Sequence, residues 1–449
     1  MSKKKIHERR RFPRVRAAWR VRGASGVRGS TVDVSESGAR IVFSRPLCDS
    51  SLTLDLVLPD GTEVLSLCVR IVREVPGLRE EYAFRLIDCT GTQRRALRRA
   101  LLAQQVHIVL SDIDEVSVRE QIEKFFLRDL LEYLHLAASF EESLGRDSDP
   151  AGIVPALERA HNALMLKGYC LELLLSGESA LVKRVKEYFQ KWTAPWTAQS
   201  AIMRWALEKP RGIPGDYRIL EYIYEDRVVS EGIGRYFDSL FLRSPYAVAM
   251  RLRKDRILAL LQEYLSALPP LKEAKVLNIA CGSSREVREL VAHAAVPCKL
   301  KITCMDWDWE ALRFSREKCA APGNRVRCGY VREDVIRIVR NKVPLYSYGV
   351  QDIIFCAELP NYLPDRVMKK LLHRVYPLLE RGGKFLFTHK NREKTYPPLF
   401  PDWFCDWRMI PRTPEEVVEV CHRCGIPRGA LKVEPGVFGY VYFFTVTKK

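Results

Sequence analysis

Four arginines occupy the six positions of the stretch RRRFPR, residues 9–14, and three lysines precede them. A guanidinium presents a planar fork of N–H donors, so it binds anionic oxygen atoms in pairs. Glu8 is the only acid within residues 1–28, which makes this segment a local basic arm. The arm predicts an anionic partner.

A second polar set follows in STVDVSESGARIVFS, where an expected strand turns at Asp33, Ser35 and Gly38. The pattern R-x-x-x-R of Arg10 and Arg14, followed by D-x-S-x-x-G at the start of a small β-barrel, resembles the PilZ domain family. That family binds cyclic di-GMP, usually as a stacked dimer. The resemblance therefore implies a cyclic di-GMP site with the residues Arg9, Arg10, Arg14, Asp33, Ser35 and Gly38.

The chemistry of this ligand suits those side chains. Its phosphates and the O6 and N7 atoms of guanine match guanidinium forks, which also stack on base planes. Asp33 can accept from guanine N–H groups, Ser35 can donate to a phosphate, and Gly38 permits a backbone bend that a side chain would block. The alternatives are a barrel that has lost its ligand, a basic arm that is only solvated, and an arm that binds RNA. Few aromatics lie in the arm (Phe12, Trp19), so we do not expect a nucleic-acid partner.

The second half of the chain carries a turn that could hold a nucleoside. VLNIACGSSRE, residues 276–286, has the pattern of an apolar strand, a turn of small residues and a helix. Such a turn lets backbone approach a ligand, and the helix N-terminus carries positive partial charge. The next strand ends at Asp306, where an acid can accept both ribose hydroxyls. The turn lacks the full G-x-G-x-x-G of a pyrophosphate site and suits an amino-acid tail better.

This arrangement resembles motif I of class I S-adenosylmethionine-dependent methyltransferases. Asn278 replaces the acid of the family's turn, Ala280 replaces its first glycine, and Gly282 keeps the second. By the resemblance, Asp306 binds the ribose, Trp307 packs on the adenosine, and REDV contacts the adenine. The implied S-adenosylmethionine site comprises Asn278, Ala280, Cys281, Gly282, Ser283, Asp306, Trp307, Glu333, Asp334, Val335 and Glu358.

A narrower resemblance covers roughly residues 190–449. Extracellular-factor synthases, the methyltransferases that make 3-hydroxypalmitic acid methyl ester, are similar in KPRGIPGDYRILEYIYE, SPYAVAMRLRKDRI, IACGSSRE and DWRMIPRTPEE, in this order. The resemblance implies methylation of the carboxylate of a hydroxy fatty acid, or of a similar small molecule, to make a signal. Ile213 and Pro214 stand where the family usually has an aromatic residue, so the acceptor can differ from the family's own.

The reaction sets the candidate catalytic groups. A carboxylate acceptor is ionised at neutral pH, so it needs orientation by a cation and no general base. Candidate cations are Arg251, Arg253, Arg408 and Arg412. A wall over the methyl group could come from Tyr217, Tyr222 and Tyr224. His389 is the one obvious base in the catalytic region.

We predict Tyr224, His389 and Arg253 as catalytic residues, and Gly215, Asp216, Tyr217 and Arg408 as the substrate cap. For each arginine the alternative is a solvated surface position. For each tyrosine it is packing of a helix on the sheet.

The elements that position these residues fall into three zones. Residues 15–90 alternate apolar and polar positions, which predicts an antiparallel meander of five or six strands in a small β-barrel. A helix over residues 92–105 closes it. Residues 118–270 have helical spacing, and five apolar runs after residue 274 predict a Rossmann-like α/β domain. The expected domains are a PilZ-like domain (1–108), a helical cap or linker (109–270) and a methyltransferase domain (271–449).

Composition restricts the function further. The 449 residues predict two or three domains, and the net charge of +18 agrees with an anionic partner. No apolar run is long enough for a transmembrane helix, and no secretory signal is evident. Thirteen scattered cysteines indicate a reducing cytoplasm. CHRC, residues 421–424, lacks a second ligand pair, so we expect no metal.

Together with this composition, the two resemblances imply a cytoplasmic methyltransferase that uses S-adenosylmethionine and responds to cyclic di-GMP. In this hypothesis the messenger orders the basic arm against the barrel and changes how the helical segment covers the active site. Two other functions stay open: a signalling adaptor that binds both ligands without catalysis, and an RNA methyltransferase that grips RNA with the arm. A homodimer also stays open, because a stacked cyclic dinucleotide can bridge two chains.

Overall fold

The computed structural model of the chain describes residues 11–449, apart from residues 24–25, 60, 62, 76–79, 145–152, 177, 271, 294–297, 320–324, 343–344, 395–398 and 411. The chain divides into two units. The first contains residues up to 200 together with 231–236, and the second contains residues 201–230 and 237–449. The three-part division at residues 108 and 270 stays a prediction.

The first unit begins with strands β1 (Val15–Arg16), β2 (Arg20–Gly23), β3 (Arg28–Ser35), β4 (Gly38–Phe43), β5 (Ser51–Val57), β6 (Val64–Glu74) and β7 (Glu81–Asp88). Strands β2 to β7 form an antiparallel barrel of six strands, which the pairing of β3 with β4 closes. Alternation along each strand buries the inward side chains, such as Val34, Leu54 and Phe84. The predicted small β-barrel is therefore confirmed.

Helices follow the barrel within the described part of the first unit: α1 (Gly91–Leu110), α2 (Val116–Lys124), α3 (Leu131–Leu144), α4 (Ile153–Leu174) and α5 (Ser179–Thr197). A capping box starts α1. The hydroxyl of Thr90 accepts from the backbone N–H of Gln93, and the Gln93 side chain accepts from the N–H of Thr90. Phe125–Leu130 form a π-helical turn between α2 and α3.

The helices α6 (Ala201–Glu208), α7 (Tyr217–Tyr224), α8 (Gly232–Arg243) and α9 (Pro245–Ser266) come next in the chain. Asp216 caps α7, because its carboxylate accepts from the backbone N–H groups of Arg218 and Ile219 at 2.9 and 3.3 Å. Ser244 caps α9 in the same way, accepting from the N–H of Ala247. No helix in the described ranges is long and apolar enough to cross a membrane.

The sheet of the second unit contains β8 (Glu273–Ile279), β9 (Lys299–Asp306), β10 (Val326–Arg332), β11 (Gln351–Cys356), β12 (Leu379–Lys390), β13 (Leu431–Pro435) and β14 (Val441–Thr447). The strand order is β10-β9-β8-β11-β12-β14-β13. The five strands expected from the apolar runs are parallel, and β14 runs antiparallel to both β12 and β13. The predicted Rossmann-like α/β fold is confirmed.

The helices of this sheet domain are α10 (Arg285–His293), α11 (Trp309–Lys318), α12 (Val335–Val339), α13 (Asp365–Val375), α14 (Leu399–Cys405) and α15 (Pro414–His422). Every residue of β11 is buried, as in a strand covered on both faces. The strand order reverses between β8 and β11. Ligands of open α/β sheets bind at such a point, outside the carboxyl ends of the strands.

Candidate functional sites

The basic arm and the motif strand meet at Asp33 in the barrel. Strand β1 pairs with β3, and Arg16 lies opposite Asp33 in the ladder. Arg14 forms an ion pair with the Asp33 carboxylate, and the Nε atom of Arg40 lies 3.1 Å from the second oxygen of Asp33. The structure therefore brings the predicted Arg14 and Asp33 together. Arg9 and Arg10 lie outside the described residues.

Arg40 belongs to this cluster although it was not among the predicted residues. It faces Asp33 across the β3–β4 ladder and also lies 3.3 Å from Glu81. Arg40 could have been predicted from the sequence. A short turn after Ser35 places residue 33 opposite residue 40, and opposite charges at paired positions attract.

Ser35 and Gly38 support the turn of the motif. The Ser35 hydroxyl is buried and donates to the carbonyl of Gly38 at 3.0 Å. A Cβ atom on Gly38 would clash with the carbonyl oxygen of Phe84 on β7. The expected backbone bend does not explain Gly38, because its φ lies outside the left-handed region. The glycine is needed instead because β4 and β7 approach each other closely.

The described end of the arm contacts helices of the same unit. Arg11 forms an ion pair with Glu141 on α3, and its Nε donates to the carbonyl of Pro195 on α5 at 3.3 Å. The Phe12 ring meets Trp196 edge to face, with 5.9 Å between centroids. The arm therefore connects the barrel with α3 and α5.

The second candidate site is a cleft at the carboxyl ends of β8, β9, β10 and β11. The predicted cofactor residues that line it are Ala280, Gly282, Asp306, Trp307, Glu333, Asp334, Val335 and Glu358. The predicted cap residues that line it are Gly215, Asp216 and Tyr217. Further lining residues, not predicted, include Arg211, Leu220, Met305, Asp308, Leu359 and Tyr362. Most residues predicted from the turn and from the strand ends therefore lie around one cleft.

The turn after β8 has an unusual backbone. Ala280, Gly282 and Ser284 have φ values of 54°, 52° and 49°, in the left-handed region that side chains disfavour. The Gly282 N–H donates to one oxygen of Asp306 at 2.8 Å, and the Asp308 N–H donates to the other at 2.8 Å. Each oxygen keeps a lone pair for a hydroxyl donor. Burial raises the pKa of Asp306, while these hydrogen bonds oppose the shift.

Three predicted cofactor residues do not line the cleft. Asn278 is buried on β8, and its side-chain nitrogen has no hydrogen-bond partner in the described part of the chain. Cys281 is buried as well, and burial raises the pKa of its thiol. Ser283 donates its hydroxyl to Glu221 on α7 at 2.6 Å. This hydrogen bond of Ser283 therefore joins α7 to the turn after β8.

The segment before α7 is held over the cleft by specific contacts. Arg211 binds the Asp308 carboxylate with two nitrogen atoms, with Nε at 2.9 Å from Oδ2. Trp205 donates its indole N–H to Asp216 at 2.7 Å. A Cβ atom on Gly215 would clash with the ring of Trp407, so glycine is required there. Arg211 could not be predicted as the partner of Asp308, because it is a basic residue in a loop rich in glycine and proline.

A buried charge cluster adjoins the cleft at Glu358. One Glu358 oxygen lies 3.2 Å from Nη1 of Arg253, and the other lies 3.2 Å from Nζ of Lys390. Arg253 donates from Nη2 to the hydroxyl of Tyr224 at 2.6 Å, and Lys390 sits 3.8 Å from the ring centroid of Tyr246. The predicted Tyr224 and Arg253 are thus in contact, and Lys390 and Tyr246 are additions.

Electrostatics keep Glu358 ionised. Burial raises the pKa of its carboxyl, but Arg253 and Lys390 lower it further than burial raises it. Burial lowers the pKa of Lys390 to about 8, against the opposing effect of Glu358. Burial raises the pKa of Tyr224, so its hydroxyl stays protonated.

The other predicted catalytic and clamp residues lie elsewhere. His389 does not line the cleft: its Nδ1 donates to the carbonyl of Lys390 at 2.9 Å, and its Nε2 accepts from Arg412 at 2.9 Å. Burial lowers its pKa to about 4. Arg408 pairs with Asp406 at 2.8 Å, and Arg251 donates to backbone carbonyls. The geometry gives no support to a catalytic His389 or to Arg408 in the cap.

Family models match two parts of the chain. Residues 8–103 match the model described as PilZ domain, and residues 276–383 match the model described as methyltransferase domain. No curated protein matches the chain.

Several solved structures are similar at low identity. A possible exported protein from Bordetella parapertussis is 17% identical, over 58% of this chain and 87% of that one, with a TM-score of 0.45. Magnesium protoporphyrin IX methyltransferase (ChlM) from Synechocystis PCC 6803, with bound SAH, is 13% identical over 46% and 88%, with a TM-score of 0.34.

N-methyltransferase NodS from Bradyrhizobium japonicum WM9, in complex with S-adenosyl-L-homocysteine, is 15% identical over 52% of this chain and 97% of that one, with a TM-score of 0.32. Similarities at this level carry no functional argument. It is the family models that assign the two regions: the chain contains a PilZ domain and a methyltransferase domain.

Proposed function

We propose that the chain is an S-adenosylmethionine-dependent methyltransferase that acts on a carboxylate and responds to cyclic di-GMP. The main support for the methyltransferase activity is the cleft at the point where the strand order reverses. There the left-handed turn around Gly282 meets the carboxylate of Asp306 and the exposed ring of Trp307.

The residues of the cleft fit this cofactor. Both oxygens of Asp306 retain a lone pair, as two ribose hydroxyls require. Trp307 lines the cleft and is 45% exposed, so its ring can offer a face for a purine. Glu333, Asp334 and Val335 also line the cleft, and the turn at Ala280 and Gly282 would hold the amino-acid tail. When bound, S-adenosylmethionine supplies an electrophilic methyl group.

A carboxylate acceptor agrees with the side chains around the cleft. Among the described residues that line it, none is histidine, lysine or cysteine. The acids that line it near the cap are engaged: Asp216 caps α7, Asp308 binds Arg211, and Glu358 binds two cations. A carboxylate acceptor is already ionised and needs no base, so it suits a lining without histidine, lysine or cysteine. The finer identity, a hydroxy fatty acid methylated to make a signal, rests on the sequence resemblance.

The proposed messenger site is the cluster around Asp33. Arg14 and Arg40 hold this carboxylate by charge-assisted contacts, and such forks also bind phosphates and guanine edges. Binding of cyclic di-GMP would exchange these ion pairs for contacts with the ligand. Arg11 and Phe12 of the arm contact α3 and α5. A movement of Arg14 would therefore displace neighbouring residues that contact these two helices.

The cofactor proposal is tested by calorimetric titration of S-adenosylhomocysteine into wild type, Asp306→Ala and the exposed control Asp255→Ala. Loss of charged hydrogen bonds should weaken binding by Asp306→Ala about 10- to 100-fold, with the control unchanged. Equal affinities of all three proteins would contradict the assignment of the cleft. Binding to wild type without methyl transfer to any carboxylate would favour the signalling adaptor instead.

The messenger proposal is tested by titration of cyclic di-GMP into wild type, Arg14→Ala and Arg22→Ala, a control on the exposed face of β2. Wild type and Arg22→Ala should bind, and Arg14→Ala should lose most of the affinity. Absence of binding by wild type would mean that the barrel has lost its ligand.

A further inference from the structure

Helix α4 is apolar on two faces, and one of these faces is exposed. The inner face packs on α3 and on the π-helical turn, and its side chains, such as Leu164 and Leu171, are buried. On the outer face Leu166, Leu173 and Leu174 are 47%, 55% and 52% exposed. A helix that is apolar on both sides is normally covered on both sides, so the outer face calls for a partner.

The exposed side chains of α4 follow the spacing of a coiled coil. Ala163, Leu166, Cys170 and Leu173 are separated by three, four and three positions, like the a and d residues of a heptad repeat, and all four are exposed. Leu174 adjoins them, and these five residues form the α4 seam. Helices that meet along such a repeat insert each a and d side chain between residues of the facing helix. The spacing of the α4 seam therefore indicates that its partner is another helix.

The remainder of the chain does not supply that helix. The described residues leave the α4 seam exposed. The two longest stretches outside the described ranges are residues 1–10 and 145–152, which consist mainly of charged residues, other polar residues and glycine. Neither stretch has an apolar repeat that would match the seam, so the partner helix belongs to another molecule.

The charge of α4 favours a second copy of this chain as that molecule. The net charge of +18 opposes contact between two copies through most of the surface. Within α4, however, the acids Glu158 and Glu172 balance the basic residues Arg159 and Lys167, so the helix is neutral. A two-fold dimer needs a surface that complements itself, and a second α4 carries the same repeat with the same spacing.

We propose that the α4 seam joins two copies of this chain in a two-fold dimer, in which α4 packs on α4 of the second copy. The proposal does not depend on methyl transfer or on cyclic di-GMP, because α4 lies outside both regions that the family models match. The contact covers about two heptads, which is less than a standard protein interface, so we expect a dissociation constant of about 10 µM.

The test is sedimentation velocity of the purified full chain without ligand, from about tenfold below to about tenfold above this constant. Wild type should change from monomer to dimer over this range. Leu166→Glu and Leu173→Glu each place two carboxylates in the seam of a two-fold dimer, so each should weaken association at least about 100-fold. Val72→Glu, at an exposed valine on β6, is the matched control and should dimerise as wild type does. All three side chains are exposed, so the variants should keep the wild-type melting temperature.

Cys170 gives a second measurement that needs no substitution in the seam. Its thiol is exposed in one copy and would be covered in the dimer. Alkylation by iodoacetamide, located by mass spectrometry, should modify Cys170 about fivefold more slowly at the upper concentration, where most of the chain is dimeric. The exposed thiol of Cys68 on β6 is the control and should react equally at both concentrations.

A ligand-free dimer that both leucine changes disrupt and Val72→Glu keeps, with Cys170 protected, supports the contact through α4. A chain that stays monomeric at the upper concentration, or that dimerises only with cyclic di-GMP, overturns the proposal. A ligand-free dimer that Leu166→Glu and Leu173→Glu preserve, or in which Cys170 reacts as fast as in the monomer, also overturns it. Loss of methyl transfer or of messenger binding would leave these results unchanged, so the two proposals fail separately.

Discussion

Glu36 binds Arg98 through two hydrogen bonds, from Nε to Oε1 at 2.8 Å and from Nη2 to Oε2 at 2.6 Å, and both side chains are almost completely buried. Glu36 lies within the motif DVSESG, and Arg98 lies on α1. The guanidinium also sits 5.1 Å from the ring centroid of Trp196 on α5. One ion pair therefore joins the turn of the motif to two helices.

Replacement of Glu36 by alanine should leave the Arg98 charge buried without a partner. We expect Glu36→Ala to lower the free energy of unfolding by about 3–5 kcal/mol, measured by urea denaturation. Arg99→Ala, on the exposed side of α1, should change it by less than about 0.5 kcal/mol. The double variant Glu36→Leu/Arg98→Met should recover much of the loss. A loss below about 1 kcal/mol in Glu36→Ala would show that the pair is not a stabilising link.

Trp307 and Trp309 allow a matched test of the adenosine site. Both residues are about half exposed, at 45% and 47%, and of the two Trp307 lines the cleft. Stacking of a base on an aromatic ring is worth about 1–3 kcal/mol, so Trp307→Ala should weaken S-adenosylhomocysteine binding about 5- to 150-fold. Trp309→Ala should bind as wild type does. Equal effects of the two variants in a calorimetric titration would remove Trp307 from the site.

Ala280 is held in a conformation that glycine would adopt more readily. At a φ of 54°, its Cβ atom costs roughly 1–2 kcal/mol, which exceeds the added chain entropy of glycine. Ala280→Gly should therefore leave the melting temperature unchanged or raise it. Ala259→Gly, at an exposed site inside α9, should lower stability by about 1 kcal/mol. Equal destabilisation by both changes in scanning calorimetry would contradict the left-handed turn.

His389 should make the free energy of unfolding depend on pH between about 6.5 and 4. Burial lowers the pKa of its imidazole from the usual 6.5 to about 4, and Arg412 faces its Nε2. As the pH falls from 6.5 to 4, the unfolded chain binds a proton that the folded chain does not, so the free energy of unfolding falls by up to about 1.4 kcal/mol per pH unit.

The His389→Gln variant should therefore show a shallower loss of stability over this range than wild type. His293→Gln, at the exposed end of α10, is the control and should keep the wild-type slope. Parallel curves for all three proteins in urea denaturation at several pH values would be incompatible with a buried, neutral His389.

Local patterns were sufficient to predict most of the fold. Strict alternation in the first 90 residues predicted the barrel, and short apolar runs such as QDIIFC predicted the parallel strands. The turn at Gly282 and the acid at Asp306 were both predicted as cofactor-site residues, and the structure brings them into contact, because strand ends of a parallel sheet share one edge. Strands β13 and β14 were not predicted, since VYFFTVT has no period that distinguishes an antiparallel edge strand.

The charge cluster beside the cleft could not be predicted from spacing. Arg253, Glu358 and Lys390 come from a helix, a strand end and another strand, and only packing brings them together. His389 was the more obvious candidate by residue type, yet alternation along β12 turns it toward Arg412 and away from Glu358. The face of β12 that a residue occupies therefore decides whether it joins this charge cluster.

The most direct test of the central claim measures transfer of a labelled methyl group from S-adenosylmethionine to octanoate, with and without cyclic di-GMP. Wild type should transfer the methyl group, and the messenger should change the rate about tenfold, within the usual range of allosteric coupling. Arg14→Ala should show a rate that the messenger does not alter. A wild-type rate that stays the same when cyclic di-GMP is bound would contradict messenger control of the methyltransferase.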